Sequence, residues 1–195
     1  MTSNTSQRFF EEMYRRDDDP WSFASSPYEL SRYDAILTAV EHRRYRAAFE
    51  PGCSIGILTR RLAAISQQVE AMDISPTAVA RANAHCVGLP NVKVMCGTLP
   101  NDIPSSQFDL ILFSEIGYYF NEVQLFDLSN KLIQRLNDNG IILAAHWLGY
   151  SEDHILSGDR VHEILATIPF LALEHSERHP EFRLDRWSKV RGTKA

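Results

Sequence analysis

The chain is predicted to adopt an α/β fold: an open, mostly parallel seven-stranded sheet with helices on both faces. Three features of the sequence carry this. From Tyr45 onward, short apolar runs alternate with stretches of helical period. Two of the runs, Phe108–Ser114 and Ile141–His146, are apolar almost throughout, as strands buried on both faces are. The polar connection between the last two strands, His175–Glu181, is too short for a parallel crossover, so the last strand is expected to run antiparallel.

The N-terminal part reads as helical. The charge run Arg15-Arg16-Asp17-Asp18-Asp19, followed by Pro20, is expected to be a turn between two helical pieces. Ser26-Pro27-Tyr28-Glu29 is a helix start, with serine at the N-cap and proline at the first helical position. Leu30, Tyr33, Leu37 and Val40 then fall on one face. Arg46–Glu50 reads as the first strand and Ile57–Ile65 as a helix; Val69–Asp73 is the second strand. Ser75-Pro76 caps a helix to about His85, and Val92–Cys96 is the third strand. After the fourth strand, Phe108–Ser114, come a helix over Val123–Leu136 and a turn at Asn139-Gly140. Ile141–His146 is the fifth strand, with a helix near Val161–Ala166 and final strands at Phe170–Glu174 and Phe182–Lys189. The 195 residues are expected to form one domain, 1–195, with 1–44 as a helical cap.

Composition excludes several classes. A hydrophobic share of 44% is ample for a core, which rules out a disordered or fibrous chain. No apolar run approaches the length of a membrane span, and the first residues hold no apolar core for a secretory signal. Twenty basic residues against 25 acidic give a net charge of -5, which disfavours nucleic acid as a partner. Cys53, Cys86 and Cys96 show no Cys-x-x-Cys spacing and read as small buried residues in a reducing cytoplasm.

In sheets of this kind ligands bind at the carboxyl ends of the strands. The first strand ends in Glu50-Pro51-Gly52-Cys53-Ser54-Ile55-Gly56, where glycines allow a tight turn and a close ligand. The second ends in Asp73-Ile74, 21 residues beyond the first glycine, where a carboxylate reaches ribose hydroxyls. Taken singly these features also fit a helix-capping loop and a surface aspartate. In series they point to an adenosine-bearing cofactor. No full Gly-x-Gly-x-x-Gly, phosphate-binding Gly-x-x-x-x-Gly-Lys-Ser/Thr loop or Tyr-x-x-x-Lys pair is present. Glu50, two residues before Gly52, is suited to hold a cationic ligand's amino group. His175-x-x-x-His179 lacks partner ligands and reads as a surface loop, so no metal is expected.

The whole pattern resembles the class I methyltransferases that use S-adenosylmethionine, whose loop usually reads acidic-x-Gly-x-Gly-x-Gly. Here Ser54 stands at the middle glycine. The resemblance implies a three-layer Rossmann-like fold, with Gly52, Cys53, Ser54, Gly56, Asp73 and Ile74 around the cofactor. Gly97-Thr98-Leu99-Pro100 matches the family's adenine segment, although many members carry an acidic residue where this chain has Thr98. Phe108–Glu115, including Ser114, matches the strand that leads into the active site. More narrowly, Asp19-Pro20-Trp21, Ser26-Pro27-Tyr28-Glu29, Arg32-Tyr33, Glu50–Gly56, Leu112–Phe120 and Leu184-Asp185-Arg186-Trp187 resemble the nodulation protein S family. That family N-methylates the free amine of a glucosamine at the non-reducing end of a chitooligosaccharide during Nod-factor synthesis. The resemblance therefore implies S-adenosylmethionine as cofactor, S-adenosylhomocysteine as product, and an amino-sugar acceptor.

Methyl transfer from a sulfonium is an in-line displacement, so the protein mainly supplies proximity, alignment and a deprotonated amine. Glu115 and His146, at the ends of the fourth and fifth strands, are the candidates for that proton chemistry, with an orienting hydrogen bond as the other role open to His146. Tyr118, Tyr119 and Trp147 offer aromatic faces to a pyranose or a sulfonium, and His154 and His162 lie where they line an acceptor groove. Trp21 and Arg32 lie in the segment that covers the cofactor in this family, with Arg32 placed to grip the methionine carboxylate. Two other readings stay open: a different small amine or hydroxyl acceptor, and a binding module without chemistry.

Overall fold

The computed structural model describes residues 6–191, so the first five residues of the expected cap and the last four of the expected domain lie outside it. The chain divides into two compact units, residues 1–103 and 104–195.

The first unit runs α1 (Gln7–Arg16), α2 (Pro27–Val40), β1 (Tyr45–Pro51), α3 (Ile57–Leu62), β2 (Ser66–Asp73), α4 (Pro76–His85) and β3 (Val92–Cys96). Its strands pair in parallel in the order β3-β2-β1, and the register sets Glu50 opposite Ala71 and Asp73 opposite Cys96. Phe49, Leu62, Val69 and Met72 fill its core. Each helix start is chemically marked. Ser6, Ser26 and Ser75 accept from the backbone N–H three residues on, and Pro27 and Pro76 take the first turn, where no hydrogen bond is lost. The charge run behaves as expected: α1 ends at Arg16, and the Asp19 carboxylate accepts from the backbone N–H groups of Phe23 and Ala24 at 2.8 Å each to close the turn.

The second unit runs β4 (Phe108–Ser114), a 3-10 turn over Gly117–Tyr119, α5 (Glu122–Gln134), β5 (Leu136–Trp147), α6 (Gly158–Ala166), β6 (Leu171–Arg178) and β7 (Phe182–Lys189). The order is β4-β5-β7-β6, with β4 and β5 parallel and β7 antiparallel to both neighbours, as the short final connection requires. An Asn121–Gln124 capping box starts α5.

Five expectations need correction. The buried face of α2 is Glu29, Arg32, Tyr33, Ile36, Ala39 and Val40, rotated from the apolar stripe because an ion pair is buried there. The helix after β1 stops at Leu62, three residues early, and β2 begins at Ser66. Asn139-Gly140 does not separate a helix from a strand. β5 already starts at Leu136, and the turn is absorbed as a pairing irregularity, with Phe108 opposite Leu136 and Leu110 opposite Ile141. β6 extends to Arg178, so His175 lies in a strand rather than a loop, and His175 and His179 both bond Glu177. Cys53 and Cys86 are buried as expected, but Cys96 is exposed. Among the described residues there is no group of metal-ligating side chains and no helix long and apolar enough to cross a membrane.

Gly56 is the N-cap of α3, with φ at +81°, and a Cβ there would stand 2.9 Å from the Ala82 Cα of α4. The clash is with backbone, so α3 and α4 must part to relieve it. Gly56→Ala is expected to lower unfolding stability by about 2–3 kcal/mol, measured by urea denaturation.

Candidate active site

The chemistry of the first unit gathers where β1 and β2 end. After β1 the chain passes through left-handed conformations at Gly52 (φ +75°), Ser54 (φ +50°) and Gly56 (φ +81°). Serine pays a steric cost at such an angle that glycine does not, which is why glycine is the usual residue there. Two contacts hold Ser54 in place: its backbone N–H donates to Asp73 Oδ2 at 2.8 Å, and its Oγ accepts from the Tyr14 hydroxyl at 2.6 Å. Gly52 and Cys53 both donate backbone N–H groups to the Met72 carbonyl, at 2.7 and 2.9 Å.

Glu50 and Asp73 form a buried carboxyl pair, 5% and 6% exposed. Asp73 accepts from the backbone N–H groups of Ser54 and Ser75, at 2.8 and 2.9 Å. Glu50 accepts from the Thr59 hydroxyl at 2.6 Å, a partner on α3 that no pattern in the sequence marks. No cation faces either group among the described residues. Burial pushes Glu50 up to about 8, with the Thr59 bond opposing and Asp73 adding to the rise. Burial lifts Asp73 to about 6 despite its backbone hydrogen bonds. In the neutral range the pair therefore holds one proton, on Glu50, and one unmatched negative charge, on Asp73.

The N-terminal segment is fastened over this loop. Glu11 of α1 accepts from the Ser75 hydroxyl at 2.6 Å and from the Thr77 backbone N–H and hydroxyl at 3.1 and 2.8 Å, at the positive end of α4. Burial raises the Glu11 carboxyl, but these donors and Arg15 outweigh it and bring it down to about 2. Tyr14 packs with Ile55 and Ala78, and Trp21 lies against that cluster with its ring 5.6 Å from Tyr14. Arg32 is 1% exposed, ion-paired to Glu29 and set 5.6–6.0 Å from the rings of Phe23, Tyr28 and Tyr33. Its guanidinium meets Glu29 through Nη2. Thr98 donates its N–H and hydroxyl to Asp102 Oδ2 at 2.8 and 2.9 Å, so a carboxylate reaches this position from four residues away. Ile74 and Leu99 stay partly exposed beside it.

The second unit holds a separate polar cluster around the ends of β4 and β5. Ser114 ends β4, half-buried. Glu115 has φ at +60°, and its carboxylate accepts from the Tyr118 hydroxyl at 2.8 Å and from the Trp147 backbone N–H at 2.7 Å. His146 was expected to be available as a proton acceptor, but it is fully buried. Its Nε2 accepts from the Gly117 backbone N–H at 3.1 Å, and its Nδ1 faces His162 Nε2 at 3.2 Å. That ring orients the Gly117–Tyr119 turn and meets no solvent. Tyr118 and Tyr119 are buried too, 3% and 9% exposed, so they do not offer open faces; Trp147 remains half-buried. The accessible imidazole is that of His154, stacked on Tyr118 with centroids 3.6 Å apart. Burial pulls its basicity below the usual histidine value against the pull of Asp153 and Glu115, so it is a free base at neutral pH.

The carboxyl pair makes a stability prediction for the ligand-free chain. Glu50 titrates near 4.5 when unfolded and about 8 when folded, so its contribution is full below the lower value and is lost as pH rises through the upper one. The melting temperature of the wild type is expected to fall between about pH 5 and about pH 9 more steeply than that of Glu50→Gln, which removes the titration. Parallel curves would contradict the assignment.

Comparison with known proteins follows the same lines. The nodulation protein S (NodS) family model matches residues 6–148. Nodulation protein S of Bradyrhizobium diazoefficiens is 29% identical over 107 residues, 54% of this chain, and the matched stretch spans about half the length of that relative (51%). A Pseudomonas syringae protein, assigned as a methyltransferase and solved as a crystal structure, is 35% identical with a TM-score of 0.74, covering 83% of this chain and 98% of its own. The N-methyltransferase NodS of Bradyrhizobium japonicum, solved with S-adenosylhomocysteine, superposes with a TM-score of 0.83 at 19% identity over 94% of this chain and 98% of its own. The fold is that of these methyltransferases, and with most of its length inside the family model the chain belongs to the nodulation protein S family.

Proposed function

We propose that the chain is an S-adenosylmethionine-dependent N-methyltransferase of Nod-factor synthesis, acting on the free amine of the non-reducing terminal glucosamine of a deacetylated chitooligosaccharide. The observation that carries the reading is the buried Glu50–Asp73 pair, which no cation of the described residues balances, at the end of a loop of left-handed turns. Buried charge without a partner is costly, and a cationic ligand is what relieves it. Family membership supports the same donor.

When bound, the donor supplies a methyl group already activated by a positive sulfur. Glu50 answers the donor's ammonium, and Asp73 keeps lone pairs free for ribose hydroxyls while holding the loop by its backbone. Gly52, Cys53, Ser54 and Gly56 let the backbone come close, and Ile74, Thr98 and Leu99 border the adenine. Trp21 and Arg32 act as parts of the cover, Arg32 by bracing it. On the acceptor side, Glu115 attracts the amine and the half-buried Trp147 offers the sugar part of its indole. The attacking nitrogen needs its lone pair, so the ammonium proton passes to a base before transfer. His154, neutral at pH 7 and beside Glu115, takes that role, and the methylated amine carries the positive charge that leaves the sulfur.

Calorimetry with S-adenosylhomocysteine tests the donor site: Asp73→Ala is expected to bind at least about tenfold more weakly than wild type. A labelled-methyl assay with chitooligosaccharides bearing or lacking one free terminal amine tests the acceptor, and label is expected only in the free-amine sugar. Binding without transfer to any amino sugar would move the acceptor to another small amine or hydroxyl compound. Absence of binding would overturn the reading. His154→Ala is expected to lower kcat about 10²-fold or more at neutral pH, with recovery as pH rises.

A further inference from the structure

Beneath the acceptor side of the second unit lie three polar side chains that the proposed reaction leaves unused. His146, His162 and Asp185 are each 0% exposed, and they come from β5, α6 and β7. They are joined in series. The Gly117 backbone N–H points into His146 Nε2 at 3.1 Å, His146 Nδ1 meets His162 Nε2 at 3.2 Å, and His162 Nδ1 meets Asp185 Oδ2 at 2.7 Å.

The donors and acceptors in this line admit one arrangement of neutral rings. A backbone N–H can only donate, so His146 Nε2 carries its lone pair and the ring proton sits on Nδ1. That proton is donated to His162 Nε2, which places the His162 proton on Nδ1, facing the carboxylate. Asp185 is fixed in turn by the Ser176 hydroxyl at 2.5 Å and by Arg183 Nε at 2.8 Å. Burial lowers the His162 basicity against the pull of Asp185, and the Gly117 N–H bond requires the lone pair on His146 Nε2. The charge at the end of the line belongs to Asp185 and is balanced by Arg183.

The free end of the line is Gly117, the first residue of the 3-10 turn. A Cβ there would stand 2.5 Å from Val161 Cγ1 and 2.8 Å from His146 Nε2, so the backbone is pressed against the ring. One residue on, the Tyr118 hydroxyl donates to Glu115 and the Tyr118 ring carries His154. The Tyr118 carbonyl accepts from the backbone N–H groups of Ile155 and Leu156 at 2.8 and 3.2 Å, which ties the His154 loop to the same turn.

We propose that Asp185, His162 and His146 are positioning residues. Asp185 sets the tautomers of two buried histidines in series, and the second of them holds the turn that places Glu115, Tyr118 and His154. The functional consequence rests on the methyl-transfer reading; the tautomer chain does not. Asp185→Leu is the discriminating variant, because it removes the acceptor of the His162 Nδ1–H and leaves that donor buried without a partner. In Asp185→Asn the amide oxygen can still accept from His162 Nδ1 and Arg183 Nε while the amide N–H turns to the Ser176 hydroxyl, so the tautomers are retained.

Nitrogen-15 imidazole spectra at pH 7 are expected to place the wild-type ring protons on Nδ1 of His146 and His162, to keep them there in Asp185→Asn, and to lose that single tautomer in Asp185→Leu. In Asp185→Leu the Gly117 amide should exchange with solvent at least about tenfold faster, and kcat should fall by at least about tenfold, with S-adenosylhomocysteine affinity unchanged within about twofold. His146→Gln keeps an acceptor toward Gly117 and should retain slow exchange and most of kcat; His146→Leu should lose both. Wild-type ring protons on Nε2, an unmoved Gly117 exchange rate in Asp185→Leu, or equal losses in the two His146 variants would each overturn the proposal. If Asp185→Leu does not fold, the wild-type tautomers and the His146 pair still decide. The spectra and exchange rates need no acceptor, so a failure to methylate amino sugars would count against the proposed function and leave the relay to be judged by them.

Discussion

Two carboxyl groups end neighbouring parallel strands inside the first unit with no lysine, arginine or histidine against them among the described residues, and the surrounding loops are shaped by that charge. Asp73 remains ionised at neutral pH because the Ser54 and Ser75 backbone N–H groups point at it, and those two bonds fix where the loop after β1 and the start of α4 lie. Glu50, with one hydroxyl donor, gives way and keeps its proton. Parallel strands end side by side, so the register that sets Glu50 opposite Ala71 brings the two acids into one neighbourhood whatever their cost. A cost of this kind persists in a folded chain when a ligand relieves it.

The second unit handles buried polarity in the opposite way. Asp185, His162, His146 and Gly117 form a line in which each donor meets an acceptor and the one charge meets Arg183. Closed networks of this sort rigidify what they touch. Here that is a three-residue turn carrying an aromatic ring, with a carboxylate bonded to its hydroxyl and a free-base histidine stacked on it. The first unit leaves its charge unanswered and the second satisfies its own. That difference separates a group kept for a ligand from groups that hold the framework.

Sequence patterns located several elements well: burial on both faces writes itself into the composition of β4, β3 falls at the residues its apolar alternation marks although none of them is buried, and α4 lies between its serine cap and His85. The face of α2 was misread because Arg32 and Glu29 are buried as a pair beneath three aromatic rings, and periodicity counts charged residues as solvent-facing. Asn139-Gly140 has the dipeptide of a turn and, at Asn139, a positive φ, yet pairing resumes around it and the strand continues. In the site, Glu50, Ser54 and Asp73 were visible through their spacing from strand ends. Thr59, Tyr14 and Asp102 were not, since each reaches its partner from another element or by local folding back. His146 was placed correctly at the end of β5, but nothing in one sequence tells a buried ring from an open one. His162 and Asp185 lie 16 and 39 residues beyond it, and only the fold brings them into line.

The pairing of an unbalanced acid couple with a cationic ligand is open to direct measurement as proton uptake or release on binding. S-adenosylhomocysteine is titrated calorimetrically at pH 7 in two buffers of different ionisation enthalpy. Glu50 titrates at about 8 in the free chain, so if it receives the ligand's ammonium as proposed, binding should release close to one proton, and the release should vanish in Glu50→Gln. Identical heats in the two buffers for the wild type would mean that Glu50 stays protonated beside the ligand and that the buried pair is not what receives its charge.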